Sequence, residues 1–134
     1  MIIDRFNEFS DAQAVTASAA STNVVDLLAG GKIEGKPYYL HVKVNASATA
    51  SGAATVTFAL QTDDNDSFSS ATALWTSAAI GKASLAAGTE VIRLPLNGLA
   101  LERYLRVYYT VATGPLTAGK FDAFLSADGD TNEF

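Results

Sequence analysis

The stretch "ERYLRVYYTVATG", residues 102–114, decides how this chain is read. Alternation places Leu105, Val107, Tyr109 and Val111 on one side of a strand and Tyr104, Arg106, Tyr108 and Thr110 on the other. A sheet with one wet face should be plainly polar on that face. Here the outward row is tyrosine and arginine, so something is expected to cover it. Two readings stay open: another protein chain, or the molecule's own loops and N-terminal segment. Tyrosine and arginine carry binding energy when a partner removes water from them, but strands favour tyrosine in any case.

The same alternation recurs on both sides of this strand. In "PYYLHVKVNASA" (37–48), Leu40, Val42 and Val44 point inward, with His41, Lys43 and Asn45 outward. "ATVTFALQT" (54–62) alternates through Val56, Phe58 and Leu60, and "TEVIRLPL" (89–96) forms a strand that Pro95 ends or places at an edge. "FDAFLSA" (121–127) is a last strand, and "AVTASAASTNVVDLL" (14–28) supplies one or two short ones. "AGGK" (29–32), "SG" (51–52), "NG" (97–98) and "TGPLTAGK" (113–120) punctuate the chain as turns and loops. Residues 73–88 are alanine-rich, but Gly81 and the Ser/Thr content argue against a helix, so a short strand over 74–78 and then a loop is expected. The first dozen residues show no clear period.

Seven to nine short strands with no long helix, in one domain spanning 1–134, indicate an all-β sandwich or small barrel. The length suffices for one proper core. Of the residues, 49% are hydrophobic and 17% charged, which excludes a disordered composition. The start carries Asp4, Arg5 and Glu8 with no apolar run, so neither a secretory signal nor a membrane span is expected. Net charge is −5 with the basic residues scattered, which argues against nucleic acid as a partner. Residues 128–134 form an acidic tail.

Reactive chemistry is sparse. There is no cysteine, and His41 is the only histidine, placed among outward residues and read as a surface side chain. No catalytic residue and no cofactor site is expected. Asp122 with Glu102 could serve glycoside cleavage only if they lined a common cleft. The acidic loop "DDNDSFSS" (63–70) departs from the EF-hand pattern, because Phe68 and Leu74 occupy the places of its glycine and glutamate. It is read as a solvated loop with no metal.

"RFNEFSDAQAVTASAASTNVVDL" (5–27), "VTFALQTDDNDSFSS" (56–70), "ERYLRVYYTV" (102–111) and "TAGKFDAFLS" (117–126) together resemble the capsid cement, or decoration, proteins of tailed bacteriophages, of the small jelly-roll type found on short-tailed phages. The resemblance rests above all on "FSDAQAVT" (9–16). It implies a jelly-roll-like sandwich of about eight antiparallel strands, on the outer surface of the phage head, bridging subunits of the major capsid protein. It implies a non-enzymatic structural role and a homo-oligomer, most simply a dimer.

The candidate partner interface, inferred from side-chain type, is Tyr104, Arg106 and Tyr108, with Phe6 and Phe9 as contacts of an N-terminal arm over residues 1–12. Phe6 and Phe9 also suit a terminal strand closing the molecule's own sheet, which has a slight edge. The alternative function is a carbohydrate-binding jelly-roll module on a phage or cell surface, although Trp75 alone is poor material for an aromatic platform.

Overall fold

The computed structural model describes residues 8–26, 31–32, 39–96 and 100–126. Its strands are β1 (Glu8–Ala14), β2 (Ala19–Ala20), β3 (Val25–Asp26), β4 (Gly31–Lys32), β5 (Tyr39–Thr49), β6 (Thr55–Asp63), β7 (Thr72–Thr76), β8 (Ile80–Gly81), β9 (Glu90–Pro95), β10 (Ala100–Leu101), β11 (Tyr104–Ala112) and β12 (Ala118–Ser126). The one helical feature among these residues is a 3-10 turn at Lys82–Ser84. The "NG" turn at 97–98 lies outside the described residues.

β11 runs antiparallel to β6 over its whole length, from Tyr104 opposite Asp63 to Ala112 opposite Thr55. On its other edge it takes β2 and β3. β6 in turn carries β7 and β8. The second sheet has the order β1-β12-β5-β9, and β4 pairs with β10 apart from both. All these pairings are antiparallel.

With β2 and β3 sharing one place, β7 and β8 another, and the β4–β10 pair set aside, eight places remain. Numbered along the chain, they fall in the orders 1-8-3-6 and 2-7-4-5. The chain therefore shuttles between layers, with one hairpin (β6–β7) kept inside a sheet. That is the double Greek key of a jelly roll, the architecture expected above.

The inner faces meet in a core that alternation builds. β11 gives Leu105, Val107 and Tyr109; β6 gives Val56, Phe58 and Leu60; β5 gives Leu40, Val42 and Val44; β12 gives Phe121, Ala123 and Leu125. Three aromatic rings join the layers. Phe121 stacks on Tyr109 at 5.5 Å between centroids, and Phe58 meets both rings edge-on at 5.5 and 5.7 Å. Such pairs contribute about 0.5–1.5 kcal/mol each beyond the area they bury.

Two expectations are corrected here. The first dozen residues, without a visible period, contain β1, whose register against β12 shifts between Glu8 and Ser10 and again between Ser10 and Gln13. Ala12, at φ 50°, sits in the second shift. Two bulges in seven residues erase a period of two, so the adjacent Phe9 and Ser10 are both fully buried. Phe9 therefore belongs to the core of its own chain, in a terminal strand that closes the molecule's own sheet, as the favoured of the two readings had it, and is not placed on an arm. Phe6 lies outside the described residues.

His41, read as a surface residue, is fully buried. Its direction was right and its exposure wrong. It lies opposite Phe124 and Arg93 across the neighbouring strands, and the Phe124 ring stacks on it at 5.2 Å and 19°. Its Nδ1 is 3.0 Å from Glu90 Oε2, while Nε2 is buried with no hydrogen-bond partner among the described residues.

Candidate protein-binding face

The outer face of the β11 sheet is set by register. Residues directly opposite one another across an antiparallel pair share a face. Arg106 is therefore beside Gln61, Tyr104 beside Asp63, and Tyr108 beside Ala59 on one flank and Ala20 on the other. Tyr104, Arg106 and Tyr108 are all half-buried, while Leu105 and Val107 between them, and Tyr109 after them, are fully buried.

Arg106 is held from three directions. Its Nε donates to Gln61 Oε1 at 2.7 Å. Its guanidinium carbon lies 4.4 Å from the centroid of Phe68 and 5.5 Å from that of Tyr108, within the range of cation–π attraction. Arg103, at the start of the strand, lies 5.0 Å from the Tyr104 ring and forms a two-pronged pair with Asp26, Nε to Oδ1 at 2.9 Å and Nη2 to Oδ2 at 3.1 Å. This second pair is solvent-exposed, so its contribution is within about 1 kcal/mol.

Phe68 reaches Arg106 because of how the 63–70 loop is tied. Asp63 is buried, and its carboxylate accepts from the Asp64 amide at 2.6 Å, the Ser70 amide at 2.8 Å and the Ser70 hydroxyl at 3.1 Å. Burial opposes ionisation, but these donors, the Ser70 amide foremost, outweigh it and hold the Asp63 carboxyl below its usual range. Asn65 braces the next turn, accepting from the Ser67 amide at 3.1 Å and, through its carbonyl, from the Phe68 amide at 3.3 Å. Phe68 adopts φ 54° and keeps only 7% of its surface exposed. The acidic loop read as merely solvated thus has a buried carboxylate as its anchor and an aromatic ring as its product.

The question posed by the outward row has a two-part answer. The chain's own loop supplies the Phe68 ring under Arg106, and the row still remains partly open to solvent. Sequence reasoning singled out Tyr104, Arg106 and Tyr108 and did not include Gln61 and Phe68, which the structure places against Arg106. A lone aromatic among eight otherwise polar loop residues was the available signal for Phe68. Gln61 needed the register.

The other residues singled out in the sequence serve the fold. Asp122 accepts from the Ala12 amide at 2.6 Å and from Asn45 Nδ2 at 3.3 Å, which pins the second bulge of β1. The Glu102 amide donates to Thr62 Oγ1 at 2.9 Å. Trp75 is half-buried against the core.

Residues 9–125 match the protein family described as Bbp16. The chain belongs to the Bbp16 family. That name is of the phage type, so the protein is phage-related and its family is in keeping with association with the virion. The span shared with Bbp16 begins at Phe9, in β1, and ends at Leu125, in β12. It therefore contains both sheets, the 63–70 loop and the whole Tyr104–Arg106–Tyr108 row. A search of curated proteins gave no match.

Proposed function

We propose that this chain is a capsid cement protein: a non-enzymatic clip that binds the outside of a phage head and bridges subunits of its major capsid protein. The observation that carries the reading is the Tyr104–Arg106–Tyr108 row, braced in place yet half-open, on a jelly roll of a phage-type family. Its arginine and aromatic chemistry suits contact with protein rather than with a small molecule.

A head holding packed DNA is pushed outward, and a folded clip across a seam adds contacts that must break before subunits part. A protein that binds the assembled shell and not its separated subunits stabilises the shell by mass action. The contribution of each clip can be small, because many copies act together and a symmetric dimer grips at two points. The acidic chain needs no contact with the genome on the far side of the shell.

Co-sedimentation and heating test this reading. Purified chains should bind assembled heads and not free capsid subunits, and heads lacking the protein should release DNA at a lower temperature than complete ones. Equal heat resistance with and without it would refute the cement role. A glycan array should show no sugar dependent on Trp75.

A further inference from the structure

Most polar side chains described above are spent on partners within the chain. Asp63 and Asp122 hold a loop and a bulge, and Arg103 is paired with Asp26. Arg106 differs. Gln61 occupies its Nε, its guanidinium carbon lies over the Phe68 ring and Tyr108 flanks it, yet among the described residues nothing accepts from its Nη1 or Nη2. Neither Asp64 nor Asp66 of the neighbouring loop is paired with it. The contacts of Arg106 thus fix one N–H and hold the guanidinium over a ring, while the two terminal amino groups, those that present the flat fork, have no acceptor among the described residues.

We propose that Arg106 is a preorganised receptor for one carboxylate, supplied by an aspartate or glutamate side chain of the major capsid protein. This rests on the capsid-binding reading above and names the group it engages there. A planar guanidinium with both terminal amino groups free matches a carboxylate through two parallel hydrogen bonds. A polyphosphate or nucleic acid calls for several clustered cations, and among the described residues this face offers one unpaired arginine, on a chain of net charge −5. A second copy of the chain also carries carboxylates, and the self-association measurement below separates that source from the capsid protein. The contact with the Phe68 ring and the bond donated to Gln61 remove rotamer freedom before binding, which lowers the ordering cost at the moment of contact.

The test pairs Arg106→Lys with the control Arg93→Lys. The control makes the same chemical change in the other sheet, where Arg93 lies over Tyr39 at 5.7 Å. Lysine keeps the charge and loses the flat fork. Binding to assembled heads is read by co-sedimentation, folding by circular dichroism and melting, and self-association by light scattering. Arg106→Lys should weaken head binding at least tenfold with folding intact, Phe68→Leu by a smaller factor, and Arg93→Lys not at all. Wild-type-level binding by a folded Arg106→Lys overturns the proposal. So does a loss confined to self-association, which assigns the residue to a contact between copies.

If the wild-type protein does not bind heads, the cement reading fails and the receptor is judged separately. In that arm a hexaglutamate peptide is titrated while the arginine Nε–Hε signals are followed by NMR. A saturable shift at Arg106 larger than those at Arg103 and Arg93 upholds carboxylate recognition. An equal or absent shift removes it.

Discussion

The hydrogen bond between Tyr109 and Ser10 makes a quantitative prediction with an unusual sign. Both side chains are fully buried, one in each sheet, with the oxygens 2.7 Å apart. The Ser10 hydroxyl has one proton, and it is given to Gln13 Oε1 at 2.6 Å. The Tyr109 hydroxyl must therefore be the donor between them. Gln13 passes the chain outward, accepting from the Thr22 amide at 2.8 Å and donating to the Ala20 carbonyl at 3.0 Å.

Removing either end does different things. Tyr109→Phe deletes a donor and leaves Ser10 still donating to Gln13, so the loss is that of one ordinary hydrogen bond, about 1 kcal/mol. Ser10→Ala removes fewer atoms but strands the Tyr109 hydroxyl in the core without an acceptor, which costs about 2 kcal/mol. The double variant has no stranded group and should cost little more than Tyr109→Phe alone, giving a coupling of about 1–2 kcal/mol. Urea unfolding of the four proteins measures all three values. If Ser10→Ala is the milder single change, or the two losses simply add, the assignment of donor and acceptor is wrong.

The same residue sets an alkaline limit. Burial pushes the Tyr109 phenol well above its usual range, and the Asp122 charge adds to the rise. A raised folded value means that the stabilisation is complete below the unfolded phenol value, about 10, and is lost as pH climbs above it. Tyr109→Phe lacks this loss, so its deficit should shrink above about pH 10.

Asp63 should behave in the opposite sense. With its carboxyl held below the ordinary value of about 3.9, its support of the loop is complete above that pH and fades as pH falls through the lower folded value. Exchange rates of the Ser70 and Asp64 amides should therefore rise with a midpoint below about 3.9, and a midpoint above it would contradict the anchor. Gly119→Ala should destabilise by about 1–2 kcal/mol in urea, because a Cβ there would meet the Ala48 Cα at 3.3 Å on the paired strand. An unshifted transition refutes that. His41→Phe should change stability by no more than about 1 kcal/mol, since it removes the unpartnered Nε2 and keeps a ring on Phe124, while the partly exposed Glu90 can turn to water. A loss above about 2 kcal/mol would mean that Nε2 has a partner in solution.

How much was legible in the residues depends on the range of the interaction. β5, β6, β11 and β12 were readable because one buried face imposes a period of two on the residues themselves. β1 was not, because its two bulges and the positive φ of Ala12 exist only against β12, more than a hundred residues away. The facing of His41 was readable for the same local reason as β5, whereas its burial depends on Phe124 from another strand. On the candidate face, residue type marked Tyr104, Arg106 and Tyr108. Gln61 and Phe68, which turn that row into a fixed arrangement, come from the β6–β11 register and from a loop shaped by Asp63.

This difference in range separates two kinds of polar residue in an all-β chain. An acid or hydroxyl that looks chemical in sequence is often the closing partner of a backbone irregularity, because bulges and loops leave amides without ladder partners. Asp122 answers the Ala12 amide, Asp63 the Asp64 and Ser70 amides, and Ser21 the Val107 amide at 3.2 Å. These groups are spent, and substituting them disturbs the fold before it disturbs any partner. Arginine has no such backbone duty on this sheet: β6 pairs β11 along one edge, β2 and β3 pair parts of the other, and Ser21 answers the Val107 amide between them, so nothing is asked of Arg106. A side chain that the fold does not need for backbone pairing, but still immobilises on three sides, is the one on which the proposed carboxylate receptor rests.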